Sequence, residues 1–173
     1  MKAETVILKC GGDILASPEM QASKDCIQHG NISVYTHSVM VTKYSLLLAK
    51  RLGIRCNLRS LVRGALLHDF FMYDWHWAKM PIEVKRQGLH GFTHPGTAAK
   101  NARKYFNVSR KVYDIINCHM FPLTLTRMPK SIEGWLVCMA DKYCSALETL
   151  KVQPYSNETA DKLLNNVQVV HMQ

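Results

Sequence analysis

The sequence predicts an all-α, single-domain helical bundle of about six to eight helices. Apolar residues recur at spacings of three and four along several segments, which is the periodicity of amphipathic helices. Residues that favour helix N-caps precede most of these segments, and no strand pattern recurs between them. The 173 residues suit one domain, and a hydrophobic content of 47% is enough to build a core. We therefore expect residues 1–173 to form one domain.

The first part of the chain predicts three helices. Their expected N-caps are Ser17, Asn31 or Ser33, and Asn57. Their expected ends lie near His29 and Gly30, near Leu52, and near Phe71. Pro18 suits the first helical position after Ser17, and Gly53 is a natural stop after Leu52. Residues 1–16 stay open between a short strand and a helix start, because Gly11 and Gly12 are expected to break either.

The second part of the chain begins with an expected loop over residues 73–92 and continues with four helices. The loop is long, aromatic and rich in histidine, with a possible helical turn around 82–87, and loops of such length are often functional. Thr93, His94 and Pro95 open the next helix. The remaining three helices are expected after the N-caps Ser109, Ser131 and Asn157. The helix after Ser131 should run to about Leu150, and the last helix and a tail make up residues 151–173.

The charge balance favours small anionic partners. Lys and Arg number 22 against 13 Asp and Glu, which gives a formal net charge of +9. Phosphorylated metabolites and nucleotides suit such a balance. The cations are scattered and have no interleaved aromatic residues, so dedicated nucleic-acid binding is not expected.

Compartment is predicted from what the chain lacks. No apolar run approaches the roughly 18 residues of a membrane span, and the first residues do not resemble a signal peptide. The six cysteines form no C-x-x-C pair, so we expect small, reduced, mostly buried thiols. A cytoplasmic protein without a membrane partner is the simplest interpretation, and the oligomeric state stays open.

His68 and Asp69 stand side by side in an apolar segment, which makes them candidate metal ligands. Burying such a pair without partners costs several kcal/mol, and a metal ion would satisfy both. Leu61, Ala65, His68 and Met72 share the predicted buried face of this helix. The other inward candidates, each on or next to a different predicted helix, are His37, His94, His119 and Asp141.

A helical bundle brings such side chains together on its axis. Imidazole and carboxylate ligands suit Fe, Mn, Co, Ni or Zn, so one or two divalent transition metals are expected. His37, His68, Asp69 and Asp141 supply ligands for one metal. His94 and His119, with Asp69 bridging, supply ligands for a second. Two such metals would clamp a phosphate and activate a water for in-line attack.

The ordered set His37, His68-Asp69, His94, His119 and Asp141 resembles the HD superfamily of metal-dependent phosphohydrolases. The likeness covers about residues 29–148 and is closest to small, stand-alone bacterial HD-domain proteins. It implies an HD-like fold and a phosphomonoesterase or phosphodiesterase that acts on a nucleotide or other small phosphate ester through a metal-bound hydroxide. It also implies a catalytic role for Asp69 as the bridging ligand.

Two branches of that superfamily are disfavoured by departures from their motifs. Degraders of cyclic di-GMP carry a Gly-Tyr-Pro element, whereas His119 is followed here by Met120, Phe121 and Pro122. Hydrolases of ppGpp carry two acids three and four positions after the aspartate, where this chain has Met72 and Tyr73.

Two alternative functions use the same ligands. An HD-fold di-iron oxygenase would activate oxygen with this set, and a non-catalytic regulatory module would bind a nucleotide without turnover. Ligand order does not separate them from a hydrolase. The candidate substrate contacts are His29, His90, Lys142 and Asp74. Asp74 would be either a general acid or a turn residue, and Trp75 would either stack on a base or pin the loop.

Overall fold

A computed structural model of the chain describes residues 2–76, 81–85 and 88–162. Its helices are α1 Ala3–Leu15, α2 Pro18–Ala22, α3 Val34–Arg51, α4 Leu58–Leu67, α5 Ile82–Lys85, α6 His90–Phe106, α7 Arg110–Cys118 and α8 Ile132–Thr149. A 3-10 turn spans Leu125–Arg127, and a two-stranded antiparallel sheet pairs β1 Ile27–His29 with β2 Ile32–Ser33. The all-α prediction is confirmed. Trp77 and the predicted last helix beyond residue 162, with its tail, lie outside the described residues.

The helices α3 and α4 form the centre of the bundle. The helix α3 packs against α4 on one side and against α8 on another, and α4 also contacts α1, α7 and α8. The helix α6 packs mainly on α7. One continuous apolar core fills the space between these helices. Because α3, α4, α7 and α8 all border it, polar side chains on their inner faces converge.

Gly11 lies inside α1, so the expectation that Gly11 and Gly12 break this segment is wrong. A Cβ at position 11 would collide with the side chain of Leu66 and would lie 3.1 Å from Cγ1 of Val62. The glycine therefore lets α1 approach α4 closely. This gain in packing outweighs the roughly 1 kcal/mol by which glycine weakens a helix relative to alanine.

The predicted ten-residue helix after Ser17 is also wrong in its length. Ser17 caps α2 as expected, but the helix stops at Ala22. Residues Ile27–His29 then pair with Ile32–Ser33 around Gly30, whose φ of 60° suits the turn. The hairpin places Gln28 among buried side chains. Short strands of this kind give no alternation long enough to be recognised in a sequence.

Most other N-caps are confirmed by the structure. Side chains of Ser33, Asn57, Ser109 and Ser131 accept hydrogen bonds from the backbone N–H three residues on. Asn157 is an exception, because its side chain accepts from Ser33 N and donates to Asn31 O. Residues 157–162 are helical, and this asparagine fastens them to the hairpin.

Two helix boundaries differ from those predicted around the candidate site. The helix α4 ends at Leu67 rather than near Phe71, and Met72 is 42% exposed with a φ of 63° instead of lying on the buried face. The helix α6 begins at His90, three residues before Thr93, and contains Pro95. The first difference lies beside His68 and the second beside His94, and both of these side chains are buried.

Among the described residues, the six cysteines form no disulfide with one another. Three of them are buried and three are partly buried. Within the described part of the chain, no helix is both long enough and apolar enough to cross a bilayer.

Candidate metal centre

Six side chains predicted as ligands converge at the centre of the bundle, and all six are buried. His37 lies in the first turns of α3, and Asp141 lies in the middle of α8. Two further candidates lie at helix ends, because His68 is the C-cap of α4 and His119 is the C-cap of α7. His94 comes from α6 and Asp69 directly follows His68.

The first group of ligands consists of His37, His68, Asp69 and Asp141, with one atom of each lying within 4.8 Å of the others. Nε2 of His37 lies 3.2 Å from Oδ1 of Asp141 and 3.3 Å from Nε2 of His68. Oδ2 of Asp69 lies 3.3 Å from Nε2 of His68. These atoms surround a space that could hold one metal ion.

The second group consists of Asp69, His94 and His119. The two imidazole Nε2 atoms are 2.9 Å apart, and Oδ1 of Asp69 lies 3.3 Å from that of His94 and 3.4 Å from that of His119. Asp69 therefore directs one carboxylate oxygen to each group. This is the bridging arrangement expected from the sequence.

The Nδ1 atoms of the four histidines are held by acceptors that cannot donate. Carbonyl oxygens of Ala65, His90 and Ile116 accept from His68, His94 and His119 at 2.7–2.8 Å. The fourth ring, that of His37, lies 2.8 Å from a carboxylate oxygen of Glu148. Each Nδ1 therefore carries a hydrogen, so a metal would bind through Nε2, in the form of the ring that has no hydrogen on that atom.

These features fit a metal ion better than a set of internal hydrogen bonds. The Nε2 atoms of His94 and His119 face each other, although neither offers a hydrogen in this tautomer. Oδ1 of Asp69 is buried and has no hydrogen-bond partner among the described residues. A cation would satisfy these lone pairs together, and nitrogen with carboxylate oxygen is a donor set that transition metals accept.

Glu148 is a functional residue that the sequence did not reveal. It is fully buried on the last turn of α8, bonds to Nδ1 of His37, and accepts 2.7 Å from the hydroxyl of Tyr155. A carboxylate behind a ligating histidine fixes its tautomer and raises its basicity. Its position seven residues after Asp141, two helical turns on the same face, was the available signal.

Gln28 is a second contact that the sequence did not reveal. Its side-chain amide nitrogen donates to Oδ2 of Asp69 at 2.5 Å, while its Oε1 is buried without a hydrogen-bond partner in the described structure. The residue reaches the site only because of the hairpin, which was predicted as helix. Its amide helps to orient the bridging carboxylate.

The carboxylates of the first group shift the pKa of the groups around them. Burial by itself lowers the pKa of His37, but hydrogen bonds to Asp141 and Glu148 outweigh burial and raise it to about 9. At His68, burial again lowers the pKa, but the charge of Asp69 and hydrogen bonds outweigh burial and raise it to about 10. Burial raises the pKa of Asp69, but the charge of His68 and hydrogen bonds lower it well below its ordinary value. Three carboxylates, those of Asp69, Asp141 and Glu148, thus surround the two imidazoles of the first group and favour a positive charge there.

The second group lacks that excess of carboxylate. Burial lowers the pKa of His119 to about 4 despite its contact with Asp69. Burial and the neighbouring His94 lower the pKa of His90 to about 3. These imidazoles are neutral at pH 7, which is the form that binds metals or hydrogen-bonds to a ligand.

An open cavity of about 310 Å³ leads to both groups. Three of the predicted substrate contacts, His29, His90 and Lys142, line it together with Asp69 and Asp141. Nζ of Lys142 lies 2.7 Å from Oδ2 of Asp141 and donates to the carbonyl of His119 at 3.0 Å. Its ammonium group is therefore fixed at the rim of the site.

Asp74 does not line this cavity, and the contacts of its Oδ1 atom are typical of a turn residue. Its Oδ1 accepts from the backbone N–H of His76 at 3.0 Å and lies 2.6 Å from that imidazole. Trp75 does line the cavity, with its ring stacked on His90 at a centroid distance of 5.2 Å and on His76 at 4.7 Å.

Comparison with known proteins supplies one match. The family model for the HD domain matches residues 34–146, which include all six buried ligands. Searches of curated proteins and of solved structures give no significant match. The matched region covers α3 to α8 and contains both groups of ligands in the order that the sequence predicts. The chain therefore belongs to the HD domain family.

Proposed function

We propose that the chain is a metal-dependent phosphohydrolase that acts on a nucleotide or another small phosphate ester. The observation that supports it most directly is the shared carboxylate of Asp69, which joins two groups of ligands below a cavity edged by a cation. When bound, one or two divalent transition metals would supply Lewis acidity and lower the pKa of a water. A phosphomonoester and a phosphodiester are both compatible with this proposal.

The protein's own residues would hold the metals, orient the substrate and neutralise its negative charge. His37, His68, Asp69 and Asp141 would bind one metal, and His94, His119 and Asp69 a second. Lys142 would donate to a phosphoryl oxygen, since its ammonium is held at the rim with its side chain 40% exposed. His29 and His90 line the same wall, and burial lowers the pKa of each, so they would contact the substrate as neutral rings.

The six cysteines form no disulfide among the described residues, which supports a reducing location, and a cytoplasmic protein is part of the proposal. The cavity volume of about 310 Å³ suits a small molecule rather than a polymer. The excess of positive charge would help to attract an anionic substrate.

Purified protein stripped of metal and reloaded with Mn²⁺, Co²⁺ or Fe²⁺ tests this function. It should release phosphate or nucleoside from a panel of phosphate esters, and Asp69→Ala should abolish both turnover and binding of a full metal complement. Asp74→Ala serves as the control, because Asp74 bonds to the local turn and should leave turnover within about twofold. No turnover with any metal and substrate, together with unchanged metal content in Asp69→Ala, would refute the proposal.

The same ligand set also suits a di-iron pair, so the experiment includes an oxygen arm. A di-iron oxygenase would be isolated with tightly bound iron and would consume oxygen with an organic substrate. A regulatory module would show ligand-dependent thermal shifts without turnover. A mixed-valent iron signal from the protein as isolated, with oxygen consumption in the presence of an organic substrate, would favour the oxygenase over a hydrolase.

A further inference from the structure

A second cavity, of about 450 Å³, lies between α7 and the segment that precedes α8. We propose that this cavity, the basic cleft, binds a small polyphosphate anion at a site separate from the metal centre. The residues that line it on α7 are Arg110, Lys111, Asp114, Ile115, Asn117 and Cys118. Those that line it before α8 are Thr126, Arg127, Met128, Lys130 and Ser131.

Cations outnumber carboxylates in the basic cleft by four to one. Lys111 is neutralised by Glu133 at 2.8 Å, and Arg110 lies 4.0 Å from Asp114. Arg127 and Lys130 have no carboxylate within 4.0 Å in the described part of the chain. Two uncompensated positive charges therefore face one concave space, and an anion with more than one negative charge would complement them.

The guanidinium of Arg127 is held at the wall of the cleft. Its Nη1 and Nη2 lie 3.7 and 4.0 Å from the position that a Cβ on Gly96 would occupy, so the guanidinium packs beside this glycine of α6. Nη1 is buried and has no hydrogen-bond partner among the described residues. A buried hydrogen-bond donor without an acceptor is unfavourable and therefore rare in folded proteins. A charged donor that also lacks an ion pair is rarer still. Phosphate oxygens in the cleft would place acceptors and negative charge beside this group.

Two helix N-termini add to the positive potential of the cleft. Arg110 and Lys111 are the first two residues of α7, where a cation opposes the helix dipole and where this helix has no acidic residue. Ser131, the N-cap of α8, lies on the opposite wall. At α7 this arrangement costs stability in the absence of a ligand, and an anion would offset that cost, whereas the first turn of α8 already contains Glu133.

The basic cleft is distinct from the metal centre, since the two cavities share no lining residue. The cleft extends along α7 to Cys118, and Arg110 at its far end stands roughly 14 Å from His119 at 1.5 Å per residue. The cleft is bounded and offers no aromatic ring for stacking, so a nucleic-acid strand is a poorer ligand than a compact polyphosphate. Inorganic pyrophosphate is the simplest probe of this chemistry.

Calorimetric titration of the full chain with pyrophosphate tests the proposal. The Asp69→Ala variant is used beside the wild type, so that neither turnover nor a metal-bound anion at the first cavity contributes to the signal. Pyrophosphate should bind Asp69→Ala and the metal-stripped wild type with a 1:1 stoichiometry. Arg127→Gln and Lys130→Gln should each weaken binding by on the order of tenfold, as expected for the loss of a charge-assisted contact.

Lys9→Gln/Lys50→Gln is the matched control, because it removes two exposed cations from α1 and α3 and should change affinity by less than about twofold. Lys130 is exposed, so its variant tests the site even if Arg127→Gln fails to fold. The proposal is wrong if pyrophosphate does not bind at millimolar concentration, if Asp69→Ala alone abolishes binding, or if the control weakens binding as much as Lys130→Gln. A negative result in this titration would not bear on the proposed phosphohydrolase activity, because the assay for that activity depends on Asp69.

Discussion

Replacing Glu148 by Gln should weaken metal binding although Glu148 is not itself a ligand. The carboxylate accepts from Nδ1 of His37 and from the hydroxyl of Tyr155. Glutamine has one oxygen and one NH2 group in place of the two oxygens. If the oxygen faces Tyr155, the NH2 group faces Nδ1 and favours the tautomer with hydrogen on Nε2. That hydrogen would occupy the position from which His37 binds metal.

The size of the effect follows from removing an outer contact while all the ligands remain. Loss of such a partner typically costs 10–100-fold in metal affinity, which corresponds to about 1.4–2.8 kcal/mol. The fully buried environment of Glu148 and His37 favours the upper part of that range, because water cannot replace the lost contact.

Competition with a chromophoric chelator, using Co²⁺ or Zn²⁺, measures the affinity. Glu133→Gln is the matched control, since Glu133 is also a buried carboxylate of α8 but bonds to Asn57 N and Lys111 far from the ligands. It should lower the melting temperature and leave the metal affinity unchanged. Equal metal affinities for wild type and Glu148→Gln, or an equal loss in the control, would refute the positioning role of Glu148.

Three further predictions concern packing, acid stability and metal uptake. Gly64→Ala should lower the free energy of unfolding by about 1–3 kcal/mol in urea titrations, because its Cβ would lie 2.6 Å from Cγ2 of Ile115; an unchanged midpoint would contradict the close approach of α4 to α7. Burial raises the pKa of Glu133, but the hydrogen bonds it accepts lower it below 4.5, so its contribution to stability is present above about pH 4.5 and is lost as the pH falls through the lowered value. Wild type and Glu133→Gln should therefore converge in stability toward pH 3, and a constant difference from pH 3 to 7 would contradict this. Metal uptake at pH 7 should release protons, because the pKa values of His37 and His68 in the metal-free protein are about 9 and 10; calorimetry in buffers of different ionisation enthalpy measures the number, and a value of zero would show that both rings are already neutral.

The bundle and the ligand set could be predicted from the sequence because both rest on local patterns. Ser33, Asn57, Ser109 and Ser131 mark helix starts by a contact made within four residues, so the sequence contains the whole interaction. The six ligand candidates were recognisable as His and Asp residues on or next to different predicted helices, in the order that resembles the HD superfamily. Their convergence followed from the topology of a bundle.

The hairpin and the outer contacts could not be predicted because they depend on distant partners. Gln28 acquires a role only when β1 turns it toward Asp69, 41 positions away in the sequence. Glu148 reads as an ordinary polar residue of α8 until α3 brings His37 against it, 111 positions away. Gly11 appeared to be a helix breaker because the collision it avoids is with Leu66 on another helix. In each case tertiary packing overrides the local preference.

The two groups of ligands are not equivalent, although they share Asp69. Around His37 and His68 stand the carboxylates of Asp69, Asp141 and Glu148, whereas His94 and His119 have Asp69 alone and are anchored by backbone carbonyls. The opposite pKa shifts of His68 and His119 have this one cause, since a field that favours a proton on an imidazole also favours a cation beside it. We therefore expect the first group to be the stronger cation site, and the second would become favourable only as far as Oδ1 of Asp69 and an anionic substrate add negative charge. Occupancy of the second group would then be linked to the presence of the phosphate ester, which ties metal binding to catalysis through one carboxylate.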